Sequence, residues 1–218
     1  MIYIFLAIIC AYLIGSFPTA YIFGKAMKGI DIREHGSGNV GATNVARTIG
    51  KKAAIAVFII DVLKGFVAVT LLPEMLKRLV PEMADKYFIS DIPRQLSVVV
   101  IFLGVAAIAG HIWNVFLGFK GGKGVATTAG VIGGMMPVVL AACLLVWGVV
   151  FMFTRYVSIA SISAALVLPV LTMVTGKDLE VVLFSCGLCF LGIYSHRSNI
   201  RRLFQGTENR FVKIKKSQ

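Results

Sequence analysis

The chain has 218 residues, of which 58% are hydrophobic and only 15% are charged. Its mean hydropathy of +0.87 excludes a soluble globular enzyme, because soluble domains are about half apolar and a quarter charged. The net charge is +12, but the basic residues lie between apolar runs, which is typical of membrane topology rather than of nucleic-acid binding. The composition therefore predicts an all-α integral membrane protein with no nucleic-acid partner.

Apolar runs predict the spanning helices in chain order. A span needs roughly 20 apolar residues, and the clear runs are 2–23, 51–72, 97–117, 157–175 and 178–195. The first run has neither the basic flank nor the cleavage pattern of a signal peptide, so we expect it to be a span. Residues 124–154 are long for one span and short for two, and Gly133, Gly134 and Pro137 interrupt them.

Charge distribution favours a hairpin of two short helices over residues 124–154. With the N-terminus outside, segments 25–52, 118–123, 155 and 196–218 then share one face, which holds sixteen Lys and Arg against three acidic residues. The opposite face holds five basic and six acidic residues. The positive-inside rule therefore predicts seven transmembrane helical elements in one domain (1–218), with the N-terminus outside and the C-terminus inside.

Several other residues have predicted structural roles. Asp61 and Lys64 are three apart, so we expect an ion pair that faces protein rather than lipid. The segment 73–93 mixes charges of both signs with apolar residues and predicts a solvated or interfacial outer loop. All four cysteines fall in apolar runs and are predicted to be small buried hydrophobic residues, not zinc ligands: Cys10, Cys143, Cys186 and Cys189.

The first polar segment, HGSGNVGATNVARTIGKK (35–52), is dense in groups that bind phosphate. Three glycines let backbone amides approach an anion, four side chains supply donors, and a helix predicted from about Val40 offers its positive N-terminus. The glycines are Gly36, Gly38 and Gly41, the donors are Ser37, Asn39, Thr43 and Asn44, and Arg47 follows one turn after Thr43. A connecting turn before a capped interfacial helix is the structural alternative.

The second polar segment is FKGGKG (119–124). Lys120 and Lys123 flank Gly121 and Gly122, and the next helix is predicted to start at Gly124. A turn with ammonium and N–H groups at a helix start resembles a phosphate cradle. It does not match GxxxxGK[ST], which disfavours ATP. A basic anchor loop between helices is the alternative.

The third polar segment is YSHRSNIRRLFQGTENR (194–210). His196 and Asn199 are three apart, so an interfacial helix directs both toward one inner surface. Upstream, Ser161 lies inside the helix that follows Arg155. As structural alternatives, His196 is a polar end residue and Ser161 is a small packing residue.

Together these segments resemble the bacterial membrane acyltransferase family that transfers an acyl chain from acyl phosphate to glycerol 3-phosphate. The matching stretches, in order, are GSFPTAYIFG (15–24), GSGNVGATN (36–44), DVLKG (61–65), FKGGKGVAT (119–127), RYVSIAS (155–161) and SHRSNIRRLFQGTEN (195–209). The resemblance spans nearly the whole chain. One departure is Asn114, where many relatives have Pro.

The resemblance implies a seven-helix enzyme that makes lysophosphatidic acid, the first step of phospholipid synthesis. Its site would face the cytoplasm in the bacterial inner membrane, with no metal or other cofactor, no coenzyme A and no carrier or other obligate protein partner. By position, Ser37, Arg47 and Lys123, with Gly38 and Asn39 nearby, hold the phosphate of glycerol 3-phosphate, Ser161, His196 and Asn199 lie near its hydroxyls, and Thr43, Asn44 and the backbone of Gly121 and Gly122 adjoin acyl phosphate. His196, Asn199, Ser161 and Lys123 are the expected catalytic residues.

The residues agree with direct acyl transfer. Acyl phosphate is an activated mixed anhydride, so transfer needs alignment and charge stabilisation more than a strong nucleophile. The sequence has no GxSxG, no HxxxxD and no Cys at a polar surface, which argues against a covalent acyl-enzyme. Either His196 or the substrate phosphate takes the hydroxyl proton. An anion transporter and an anionic-lipid-binding protein are the rival functions.

Overall fold

The computed structural model describes residues 2–81 and 98–211. Its α-helices are α1 (Ile2–Ser16), α2 (Thr19–Lys28), α3 (Ala42–Thr48), α4 (Lys51–Leu79), α5 (Val98–Ile112), α6 (Val125–Met135), α7 (Pro137–Thr154), α8 (Val157–Val174), α9 (Leu179–Ser195) and α10 (Arg197–Phe204). Two 3₁₀ turns cover Ile32–Glu34 and Val115–Leu117. Within the described residues the fold is all-helical, as predicted.

Five segments are long and apolar enough to cross a membrane: Ile2–Lys28, Lys51–Leu79, Val98–Leu117, Pro137–Thr154 and Val157–Val174. Helices α9 and α10 form a sixth such segment if taken together, although they bend by 53° where they meet. The chain is therefore a multi-pass membrane protein. The count of seven spanning elements and the orientation of the termini stay predictions.

The stretch 124–154 folds as a hairpin of unequal helices. Lys123 precedes α6 and bonds to Asn199, while the Arg155 carbonyl after α7 accepts a hydrogen bond from Phe211 N at 2.8 Å. Both ends of the hairpin therefore meet the same C-terminal segment. Two short helices were predicted, but α7 has 18 residues and only α6, with 11, is short. Pro137 sets this boundary, since it cannot continue α6 but suits the first turn of α7.

Two further boundaries differ from prediction. The first apolar run is interrupted at Phe17 and Pro18, because Pro18 has no N–H to donate to the preceding turn. The predicted outer loop was wrong at its start, since α4 continues through Pro73 to Leu79, and Glu74 pairs with Arg78 at 3.2 Å along that extension. The part of the predicted loop from residue 82 to 93 lies outside the described residues.

The cysteine prediction was half wrong. Cys143 is buried, and Cys189 is partly buried, but Cys10 and Cys186 are exposed on the outer surfaces of α1 and α9. In a membrane protein an apolar side chain is stable against lipid without being covered by protein. An apolar run therefore does not by itself predict burial inside the protein.

Close packing of α4 against α6 positions the Gly-Lys loop, which is the segment FKGGKG (119–124). A Cβ on Gly65 would lie 2.1 Å from the Thr127 carbonyl oxygen, and one on Gly130 would lie 1.9 Å from the Val62 carbonyl oxygen. Only glycine permits this backbone approach. The contact fixes α6, and with it Lys123, against the helix that carries Asp61 and Lys64.

Candidate active site

The loop before α3 is shaped by Asn44. This side chain is 1% exposed. It donates to the carbonyl oxygens of Ile32 at 3.1 Å and His35 at 2.9 Å, and it accepts from Ser37 N at 2.8 Å. Both N–H donors of Asn44 are thus engaged within the protein. Asn44 therefore holds the backbone around Ser37, and its predicted place beside acyl phosphate stays a prediction.

A polar cavity of about 400 Å³ lies between this loop and the Gly-Lys loop. Its lining includes Arg202 and six of the expected site residues, namely Ser37, Gly38, Asn39, Gly121, Gly122 and Lys123. The structure thus brings the first and second polar segments together. Thr43 is partly buried on α3 and does not line this cavity.

Gly121 and Gly122 do not offer free backbone donors. Gly121 N donates to the Ile112 carbonyl and Gly122 N to the His111 carbonyl, both at 3.0 Å. A Cβ on Gly122 would also lie 2.3 Å from Nε2 of His111. These amides cap the end of α5, and the prediction that this turn adjoins acyl phosphate stays a prediction. Glycine is needed here for close packing against His111.

A chain of hydrogen bonds joins the second and third polar segments. The Lys123 ammonium donates to Oδ1 of Asn199, and Asn199 Nδ2 donates to Oε1 of Glu208 at 2.6 Å. Glu208 also accepts from Ser158 Oγ at 2.8 Å and from Arg202 Nε at 2.7 Å. The carboxylate of Glu208 is therefore the centre of the network that orients Asn199 toward Lys123.

Burial and charge tune this network. Burial, together with the positive charges of Arg202 and Arg47, lowers the pKa of Lys123 to about 8, although Glu208 opposes the shift. Burial works to raise the pKa of Glu208, but hydrogen bonds from Asn199, Arg202 and Ser158 outweigh it and lower that pKa. Lys123 is thus a cation at neutral pH that lacks full solvation, and it is ready to bind an anion.

Arg47 reaches the same region from α3. Its guanidinium donates to the Asn209 carbonyl at 3.3 Å, one residue beyond Glu208. The three polar segments that are far apart in sequence therefore meet, as predicted.

A second, apolar cavity of about 110 Å³ lies between α5, α6, α7, α8 and α9. Leu140, Leu168 and Leu188 are among its apolar lining residues, while Lys123, Ser161 and His196 supply polar groups. Oγ of Ser161 accepts a hydrogen bond from Nε1 of Trp147 at 3.1 Å. The predicted residues Ser161 and His196 thus share a cavity with Lys123.

His196 lies at the junction of α9 and α10 and is 4% exposed. Its Nδ1 lies 2.8 Å from the Gly192 carbonyl oxygen. Because a carbonyl only accepts, Nδ1 carries the hydrogen and Nε2 keeps its lone pair. Burial and the positive charge of Lys123 lower the pKa of His196 to about 4. The ring is therefore neutral at pH 7 and can accept a hydrogen bond at Nε2.

Sequence reasoning missed four residues around the site: Ser158, Trp147, Arg202 and Glu208. Glu208 had a usable signal, because it is the one acidic residue among the basic residues of 196–218. Trp147 had no comparable signal, since its helix is otherwise almost wholly apolar. Ser158 lies in the stretch RYVSIAS (155–161) that carries the resemblance, but only Ser161 of that stretch was given a role. Asn114, the departure from the family pattern, donates to the Ser16 carbonyl at 2.5 Å and caps the 3₁₀ turn after α5.

Comparison with known proteins agrees with this geometry. The family model described as glycerol-3-phosphate acyltransferase matches residues 5–206. A glycerol-3-phosphate acyltransferase of Endomicrobium trichonymphae is 43% identical over 97% of both chains. The crystal structure of PlsY (YgiH), an integral membrane glycerol 3-phosphate acyltransferase, is 40% identical in its glycerol 3-phosphate form, with a TM-score of 0.81 and 96% of each chain covered.

The same enzyme in its lysphosphatidic acid form gives a TM-score of 0.78 at 40% identity, covering 96% of this chain and 95% of that one. These matches extend over nearly the full length of the chain, and the family model includes the first two polar segments and the third as far as residue 206. They exclude the transporter and lipid-binding alternatives as the main function. The chain is a membrane acyltransferase that belongs to the glycerol-3-phosphate acyltransferase family, of the PlsY type.

Proposed function

We propose that this acyltransferase transfers an acyl group from acyl phosphate to the sn-1 hydroxyl of glycerol 3-phosphate, giving lysophosphatidic acid and phosphate. The glycerol 3-phosphate and lysphosphatidic acid forms of the similar structure support the acceptor and the product. The meeting of an apolar and a polar cavity at Lys123 supports acyl phosphate as the donor. In this role the protein performs the first step of bacterial phospholipid synthesis.

The observation that carries the proposal is the position of Lys123, which lines both the polar and the apolar cavity. Acyl phosphate has an apolar chain and an anionic head that are joined at the reacting carbon. With the chain between α6, α7 and α8, the head reaches the ammonium group of Lys123 at the mouth of the polar cavity. A cation at that junction suits a phosphate leaving group better than the neutral sulfur of a thioester.

The reaction is direct. The hydroxyl oxygen attacks the acyl carbon, the bond between that carbon and the phosphate oxygen breaks, and phosphate leaves with the electron pair. Because the donor is already activated, the protein mainly aligns the two substrates and stabilises negative charge. No metal or other cofactor is needed for this chemistry.

His196 orients the hydroxyl in this mechanism. Its unprotonated Nε2 accepts the hydroxyl hydrogen bond, but a pKa of about 4 makes it a weak proton acceptor near neutral pH. The departing phosphate is the better base, since phosphate groups titrate at about pH 6 or higher. Substrate-assisted proton transfer is therefore favoured over general-base catalysis by His196.

The other expected residues have distinct roles. Ser37, Arg47 and Lys123, with the backbone at Gly38 and the side chain of Asn39, hold phosphate in the polar cavity. Asn199 and Ser161 bind near the glycerol hydroxyls, while Thr43 and the Gly121–Gly122 turn border the acyl-phosphate head. Asn44 shapes the loop that carries Ser37.

The membrane placement follows from charge. We propose that the basic face, with the three polar segments, lies on the cytoplasmic side of the bacterial inner membrane. The N-terminus is then outside and the C-terminus inside, in one domain spanning residues 1–218. Glycerol 3-phosphate reaches the polar cavity from the cytoplasm while the acyl chain stays within the depth of the lipid.

The test is an assay of the purified protein in detergent with palmitoyl phosphate and labelled glycerol 3-phosphate. We expect labelled lysophosphatidate and release of phosphate. In parallel assays palmitoyl-coenzyme A and palmitoyl carrier protein should not replace palmitoyl phosphate. Folded protein that makes no product, or that uses either thioester equally well, would overturn the proposal.

A further inference from the structure

Behind the Gly-Lys loop lies a polar cluster at membrane depth that the proposed chemistry does not use. It consists of Thr19, Asp61, Lys64 and His111, which come from α2, α4 and α5. Oδ1 of Asp61 accepts from Thr19 Oγ1 at 3.0 Å and from Lys64 Nζ at 2.6 Å, and it lies 3.9 Å from Nδ1 of His111. Charged groups within a membrane are costly and usually serve function.

The cluster connects both sides of the break between α1 and α2 to α4. Nζ of Lys64 also donates to the Phe17 carbonyl at 2.5 Å, at the residue before Pro18. Thr19, just after the break, is the residue that donates to Asp61. Asp61 and Lys64 thus fix the break relative to α4, and they are 2% and 6% exposed.

His111 connects this cluster to the Gly-Lys loop. One edge of its ring faces Asp61, and Nε2 packs against Gly122, where a Cβ would lie only 2.3 Å away. The His111 carbonyl accepts the Gly122 N–H at 3.0 Å. The ring and the backbone of His111 therefore both contact the residue that immediately precedes Lys123.

We propose that His111, held by Asp61 and Lys64, is a positioning residue for Lys123. The ring supports the back of the Gly121–Gly122 turn, and so sets how far the Lys123 side chain reaches toward Asn199 and the bound phosphate. The Asp61 carboxylate, fixed by Thr19 and Lys64, lies beside the ring, with Oδ1 at 3.9 Å from Nδ1, and limits how the ring can turn. This proposal rests on the proposed function, because it takes Lys123 as the phosphate-binding cation.

The test is a double-mutant cycle between His111→Ala and Lys123→Ala, read out as kcat/KM for glycerol 3-phosphate with palmitoyl phosphate. Displacement of a binding group by about 1 Å can cost about 10²-fold, so we expect a loss of that order in His111→Ala. In the Lys123→Ala background, the same substitution should cost less than about threefold, because the ammonium group that His111 positions is already absent.

The matched control is Thr172→Val, which removes another buried hydrogen bond between spans. Oγ1 of Thr172 lies 2.9 Å from Oγ of Ser185, joining α8 to α9. The control should lower the thermal midpoint and leave kcat/KM unchanged. If His111→Ala does not fold, His111→Gln and the uncharged pair Asp61→Asn with Lys64→Gln are measured in the same cycle, with the same expected non-additivity.

The outcomes separate the two proposals. Wild-type activity that survives intact in folded His111→Ala, or equal losses in both Lys123 backgrounds, would overturn the positioning role. A control that loses as much activity as His111→Ala would do so too, because the effect would then follow from stability alone. Failure of the proposed function is a different result, in which the wild-type protein itself makes no lysophosphatidate.

Discussion

Lys123 donates a hydrogen bond to Asn199 across 76 positions of the sequence, and this contact brings the Gly-Lys loop to the C-terminal motif. Substrate binding has to replace or share it, since a phosphate would compete with Oδ1 of Asn199 for the same ammonium group. Asn199 keeps its orientation in either case, because Nδ2 is held by Glu208 at 2.6 Å. The amide oxygen is then free to meet a glycerol hydroxyl.

The first prediction concerns the charge of Lys123. Lys123→Ala removes a charge-assisted contact worth about 1.5–3 kcal/mol, so kcat/KM should fall by about 10- to 100-fold. Lys123→Arg should recover only part of this loss, because a planar guanidinium does not reproduce a compact ammonium in a partly buried site. Lys52→Ala, at an exposed lysine that lines neither cavity, is the control and should change kcat/KM little. Equal losses at both lysines would contradict the assigned role.

The second prediction concerns pH. The pKa of Lys123 is lowered to about 8, against an ordinary value near 10.5. If the Lys123 cation binds phosphate as proposed, kcat/KM should fall as the pH rises through about 8, a limb that reports the free enzyme. In Lys123→Arg this limb should disappear, since arginine stays charged. A limb that persists unchanged in Lys123→Arg would assign it to another group.

The same shift sets the sign of a stability effect. In the unfolded chain Lys123 holds its proton up to about pH 10.5, whereas in the folded protein it releases the proton near pH 8. The unfolded state therefore binds more protons between these values, and the contribution of Lys123 to folding stability rises with pH across that window. Activity and stability should thus move in opposite directions above pH 8.

The third prediction concerns Glu208, the carboxylate that three side chains hold. Its side chain is 6% exposed, and Arg202, Asn199 and Ser158 all donate to it. Glu208→Gln removes the charge from hydrogen bonds worth about 1.5–3 kcal/mol, so the thermal midpoint should fall and kcat should fall with it. The control is Glu74→Gln, which breaks an exposed pair with Arg78 and should have little effect on either quantity. Similar stability losses at Glu74 and Glu208 would contradict this prediction.

Local spacing was a reliable guide to some of this structure. Asp61 and Lys64 pair as their separation of three predicts, and both are buried. Their common position on one helix face follows from helical periodicity alone, so no tertiary information was needed. His196 and Asn199 are both buried as well, although His196 lies at the junction before α10 and not on that helix itself.

Contacts between distant segments were not available from the sequence. Glycines between lysines suggested free backbone amides, yet the amides of Gly121 and Gly122 donate hydrogen bonds to carbonyls at the end of α5. Which partner an N–H meets depends on how α5 and α6 pack, and no local pattern encodes that. Glu208 was similarly overlooked, because its role arises only when α8 and the C-terminal segment meet at Ser158.

The fourth prediction concerns membrane topology. In a variant without its native cysteines, Arg155→Cys should react with a membrane-impermeant maleimide only when the cytoplasmic side is accessible. Lys177→Cys, at the other end of α8, should react from outside. Labelling of intact cells followed by labelling of inverted vesicles gives both measurements. If Arg155→Cys reacts in intact cells, the proposed orientation is reversed.

The last prediction separates two roles for His196. If the ring only orients the hydroxyl, His196→Asn should keep appreciable activity, because an amide can still form a hydrogen bond near the position of the ring. If His196 were the general base, the same variant should lose roughly 10²–10⁴-fold in kcat, and the pH profile should lose its acid limb. His196→Ala should impair both kcat and KM for glycerol 3-phosphate in either case.

The pKa of about 4 makes these alternatives measurable. A group with that pKa stays unprotonated through the neutral range, so the acid limb of His196 lies well below the titration of phosphate near pH 6. With an orienting His196, a limb near pH 6 should persist in His196→Asn, since the substrate phosphate still has to accept the proton. Folded His196→Asn protein that has no turnover would assign the proton transfer to His196 instead. The pH dependence of stability gives a separate check on the variant. Wild-type stability should fall as the pH drops from about 6.5 toward 4, because in that range only the His196 of the unfolded chain is protonated. His196→Asn should lose that dependence whichever role the ring has in catalysis.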